Sequence, residues 1–169
     1  MNELQKKFFD VPFEKREGVF FEMFPEGKYL KDKLLAIGGN RVAWLPIEPH
    51  LSALIKDGQS FSLDKRKKTS GEVNHCHANA ARLFLKKKNV SIVTGYTLNS
   101  EVWIQHSWGY DGKKIIETTS LFDAYYGVIL SGLDITKFVI GELGDQIMKL
   151  PREQVMKLPI PEDIEGLLK

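Results

Sequence analysis

Two stretches of this sequence place nucleophile, base and acid side chains where acyl-transfer chemistry can use them. Residues 101–109 and 113–119 alternate apolar and polar positions on either side of Asp111-Gly112, the preferred two-residue hairpin turn. With those two residues as the loop, Tyr110 pairs with Lys113. His106 then lies directly opposite Glu117, Trp108 opposite Ile115, and Ile104 opposite Thr119. Opposed residues of an antiparallel pair share a face, with Cβ atoms about 5 Å apart. A carboxylate at that distance holds one imidazole nitrogen, fixes the tautomer and stabilises the imidazolium. Trp108 and the isoleucines form an apolar wall that strengthens the pair by excluding water. Thr119 shares the site face and is placed to hold Glu117. Gln105, Ser107 and Thr118 point to the other face.

The nucleophile candidate is Cys76, the only cysteine. It falls in the first turn of a helix predicted over 74–88, rich in alanine and leucine and closed by Lys86-Lys87-Lys88. Unsatisfied N–H groups and the positive dipole end there favour thiolate over thiol and can bind a developing oxyanion. His106 then serves as the base, which requires the helix to pack on the sheet face carrying it. Asn74 is read as the helix N-cap or as a second oxyanion donor. Asn79 follows Cys76 by three residues on nearly the same face and can orient a side chain in the site. His75 and His77 flank the sulfur and are expected to shape the pocket. Two blander readings stand beside this one. A lone cysteine is often a small buried hydrophobe. His75 or His77, with Cys76 and His106 or His50, can also be metal ligands, although three consecutive helical residues, about 100° apart, cannot converge on one ion.

The order of these features is a cysteine at a helix start, a strand with His106-Ser107-Trp108, then Ile115-Ile116-Glu117-Thr118. It resembles the transglutaminase-like branch of the papain-like cysteine hydrolases over about residues 70–120. Glu117 stands where that family usually has aspartate. The resemblance implies an α+β papain-like fold, with the cysteine helix on an antiparallel sheet. It also implies Cys76 as nucleophile, His106 as general base and acid, and Glu117 as the orienting carboxylate. The expected activity is hydrolysis or acyl transfer on an amide, ester or thioester through a covalent acyl-enzyme. The substrate would be a protein, a peptide or a small acyl compound, and no cofactor is required. The alternative from another class is a catalytically silent papain-like domain that binds a protein; the third is a His/Cys metal-binding domain.

The rest of the chain must position these residues. Its 169 residues, 43% hydrophobic and 27% charged, predict a single α+β domain over 1–140 and a helix or extended arm over 141–169. The arm carries Met-Lys-Leu-Pro twice, at 148–151 and 156–159. Short helices are expected over 2–9, 29–37 and 51–55, and strands over 41–45 and 90–98, with Gly95 as a bulge. Residues 62–72, which include Asp64-Lys65-Arg66-Lys67-Lys68, read as a solvated loop, and 134–140 as a further strand. A net charge of +2 is too mild for a nucleic-acid footprint. No apolar run is long enough to span a membrane, and residues 1–13 lack the apolar core of a secretory signal. The expectation is a soluble cytoplasmic protein.

Overall fold

The computed structural model describes residues 3–155 and 157–159. In chain order the elements are α1 (Glu3–Asp10), a 3-10 turn (Phe13–Lys15), α2 (Arg16–Met23), α3 (Gly27–Ile37), β1 (Arg41–Ala43), α4 (Leu51–Asp57), β2 (Gln59–Ser60) and β3 (Arg66–Lys68). There follow α5 (Cys76–Lys86), β4 (Ser91–Asn99), β5 (Val102–Tyr110), β6 (Ile115–Glu117), β7 (Ala124–Ile129), α6 (Leu133–Ile147) and α7 (Arg152–Val155). The class is mixed α and β. The strands pair in the order β2-β7-β4-β5-β6-β3, mostly antiparallel, with β1 parallel to the start of β5 and β3 parallel to β6. The chain divides into two compact units. Unit 1 holds residues 1–63, 95–106 and 122–128, and unit 2 holds the rest.

Unit 1 is built by the N-terminal helices on its part of the sheet. Leu30 and Leu34, one helical turn apart, give α3 its buried stripe, and Phe20 stacks on Trp44 with ring centroids 4.2 Å apart. The Gly38-Gly39 pair after α3 does more than end a helix. Gly39 is left-handed (φ 76°), and a Cβ there would lie 2.7 Å from Leu98 Cδ1. Trp103 donates its indole N–H to the Gly38 carbonyl at 2.8 Å, which anchors the turn on β5. Gly95 is required for proximity. A Cβ at that position would sit 2.3 Å from the Tyr126 carbonyl oxygen and 2.5 Å from Gly127 Cα. Gly95→Ala is therefore expected to force backbone apart and cost about 1–3 kcal/mol, read as a lowered urea midpoint at unchanged m-value.

Unit 2 holds α5, shorter than predicted at both ends. Asn74 does not cap it. Asn74 is left-handed (φ 62°), His75 occupies the N-cap, and no side chain makes the capping bond. Asn89, beyond the helix, is left-handed (φ 65°) as expected of a chain reversal. Residues 133–147 are helical rather than extended. Thr136, Val139, Leu143 and Ile147 are buried at helical spacing, and α6 packs against α5. Within the basic stretch, β3 pairs in parallel with β6 instead of remaining a loop. Of the tail, α7 is short, and Met156 and residues 160–169, including part of the second Met-Lys-Leu-Pro, lie outside the described residues.

The β5–β6 hairpin turn is longer than two residues. Gly109 pairs with Ile116 and Tyr110 with Ile115, a slip of two from the expected register. The cause is Asp111. Its Oδ1 accepts the backbone N–H groups of Lys113 (3.0 Å) and Lys114 (2.8 Å), and its own N–H reaches the Lys114 carbonyl. These backbone donors hold the Asp111 carboxyl below its ordinary range. A slip of two preserves which face each side chain occupies.

Candidate active site

Cys76 is the first residue of α5 and is partly exposed. It therefore stands at the positive end of the helix dipole, where a thiolate or an oxyanion is stabilised. His75 and Asn74, just before it, are exposed. His77 turns inward. Its Nδ1 lies 2.7 Å from Ser107 Oγ, and Ser107 in turn donates to Thr94 Oγ1 at 3.0 Å. Ser107 has no solvent exposure, so this chain ties α5 to β5 and β4 and offers no nucleophile to a substrate.

The strand residues that meet α5 are Ser107 and Gly109. A Cβ on Gly109 would lie 2.4 Å from Leu83 Cδ2, and Leu83, Val90 and Ile116 form one apolar cluster there. The helix thus covers the Ser107 face in this unit, not the alternate face expected from the catalytic reading. Small residues at 107 and 109 allow that close approach.

Glu117 is completely buried at the end of β6. Its Oε1 accepts the backbone N–H of Thr118 (2.8 Å) and of Thr119 (3.2 Å) and the Thr119 hydroxyl (3.2 Å). Burying a carboxylate is costly unless its lone pairs are met, and three donors on one oxygen meet that demand. Carried one step further, the observed register sets Glu117 opposite Trp108, where the sequence reading set it opposite His106. Trp108 is fully buried.

Asn79, also buried, acts on a loop. Its Oδ1 accepts the Glu72 N–H (3.1 Å) and its Nδ2 donates to the Glu72 carbonyl (2.7 Å). This side chain imitates a strand partner for the segment before α5. A buried polar residue three positions after the cysteine was the only sequence signal for it.

In unit 1, His106 is 3% exposed, and its ring meets Phe122 edge-on with centroids 4.8 Å apart. Alternation along β5 turns it to the same face as Trp108. Sequence reasoning passed over a second polar cluster in this unit. Glu48 Oε2 accepts the Tyr96 hydroxyl (2.8 Å) and Gln105 Nε2 (2.7 Å), and Oε1 accepts the His50 N–H (3.2 Å). Burial first, then the Glu48 charge and hydrogen bond, raise the Tyr96 phenol well above its ordinary value. Folded Tyr96 keeps its proton to higher pH than unfolded Tyr96, so its contribution to stability is complete below about pH 10 and lost above it. Urea unfolding is expected to show that alkaline loss in the parent and a smaller one in Tyr96→Phe, which is itself less stable at neutral pH.

Among the described residues, no three His, Cys, Asp or Glu side chains are grouped to hold a metal ion, and no helix is long and apolar enough to cross a membrane. No family model, curated protein or solved structure matches the chain.

Proposed function

We propose that this chain is a papain-like cysteine hydrolase or acyltransferase. The Cys76 thiolate attacks an amide, ester or thioester carbonyl, and the α5 N–H groups receive the oxyanion. His106 takes the thiol proton and returns it to the leaving group, and Glu117 orients and charges-balances the imidazolium. Water or an amine then resolves the acyl-enzyme. The observation that carries this reading is Glu117, a fully buried carboxylate with one oxygen fixed by three donors. The hairpin register sets it opposite Trp108. A carboxylate held so rigidly is suited to orienting a second group through its other oxygen.

The test is acylation by p-nitrophenyl acetate, followed by peptide mass spectrometry. Acetyl on Cys76 in the parent, with turnover lost in Cys76→Ala and His106→Ala, is the expected result. Absence of acylation on a reactive, folded protein would favour the silent binding domain.

A further inference from the structure

We propose that unit 2 carries an anion-binding cleft for a phosphate monoester, formed by loop 69–72, by Arg82 and Lys86 of α5, by Lys87 just after it, and by Thr118. The cleft measures about 430 Å³, the size of a site for a small metabolite. Three cations line it against one carboxylate, Glu72. Glu72 is a loose partner: its Oε2 lies 3.4 Å from Arg82 Nη1, and its side chain is 62% exposed. An incoming anion can displace it at little cost.

Thr118, only 4% exposed, lines the cleft opposite no acidic side chain other than Glu72. The walls are already rigid. Asn79 clamps the Glu72 backbone, and Gly71 is wedged so closely that a Cβ would lie 2.6 Å from Asn79 Nδ2 and 2.7 Å from the Thr118 carbonyl. A preorganised cleft loses less entropy on binding. Arg82 supplies a planar fork for paired phosphate oxygens, and a surplus of two positive charges matches a dianionic phosphate better than a carboxylate.

Anion binding rests on this cleft alone and not on the thiol. Cys76 lies on the same stripe of α5, one turn before Asn79, and about 9 Å along the axis from Arg82. Under the catalytic reading, the cleft receives the anionic end of the substrate.

Titration calorimetry on the full chain tests this, with phenyl phosphate, inorganic phosphate and acetate at constant ionic strength. Saturable one-to-one binding of phenyl phosphate and phosphate, with acetate much weaker, is expected. Arg82→Gln and Lys86→Gln should each weaken binding about tenfold or more, the loss expected of a hydrogen bond to a charged group. Glu72→Gln should tighten it, an outcome that misfolding does not imitate. No saturable binding in the parent, or affinities unmoved by all three substitutions, overturns the cleft. Cys76→Ala should bind phosphate as the parent does. Phosphate binding without acylation therefore removes only the catalytic reading, and acylation without phosphate binding removes only the cleft.

Discussion

Iodoacetamide at pH 7 is expected to alkylate Cys76 stoichiometrically and about tenfold faster than free cysteine. A free thiol, with its pKa near 8.5, is only a few per cent thiolate at that pH, so there is room for such an increase. Two sources supply it in the proposed site: the N-terminal end of α5, where Cys76 is the first residue, and the imidazole of His106. His106→Ala should bring the rate down to that of free cysteine or below. The rate against pH should be flat through neutrality in the parent and should follow an ordinary thiol titration in the variant. A helix end acting alone would leave the His106→Ala rate high. A thiol that labels only after denaturation would end the catalytic reading, since Cys76 would then be a structural side chain.

The second large effect is expected at Glu117, where two substitutions separate structure from chemistry. Glu117→Ala removes the acceptor for two backbone N–H groups and a hydroxyl. The Thr118 N–H among them is buried, so a loss of about 3 kcal/mol is expected, with a clear fall in Tm. Glu117→Gln keeps the volume and one carbonyl oxygen in place, so its amide can still accept from Thr118 and Thr119. It should remain folded, within about 1–2 kcal/mol of the parent, while its Cys76 labelling falls toward the His106→Ala rate. A Glu117→Gln variant that labels as fast as the parent would assign the carboxylate to stability alone.

The readable and unreadable parts of this chain divide on physical grounds. Helix α3 was legible because Leu30, Leu34 and the terminal glycines are local signals, and α5 because alanine, leucine and a basic C-terminal end agree. Strands β4 and β5 declared themselves through β-branched and alternating residues. The α6 helix did not, because Ile135, Thr136, Val139 and Ile140 favour strands. Only the helical spacing that continues to Leu143 and Ile147, past Gly141, shows the buried stripe. The hairpin register was misread because Asp111 takes two backbone donors and lengthens the turn, a choice made by one side chain's hydrogen bonds. The face of Glu117 survived the error since the slip was even. The packing of α5 on the Ser107 face was invisible, since local pattern does not say which side of a sheet a helix covers. The Asn79 clamp was hidden for a similar reason: its partner, the Glu72 backbone, presents no side-chain pattern to read.

Strand β3 has a consequence for how copies of this protein behave beside one another. It terminates the sheet order, and Arg66, Lys67 and Lys68 are all exposed along it. A strand at the end of a sheet is a template on which another molecule can add a strand and begin a fibre. Here a second copy that adds through its own β3 would bring three cations against these three. Colloidal stability at high concentration is thus written into the one segment whose composition least suggests a strand, and salt that screens those charges should weaken the protection.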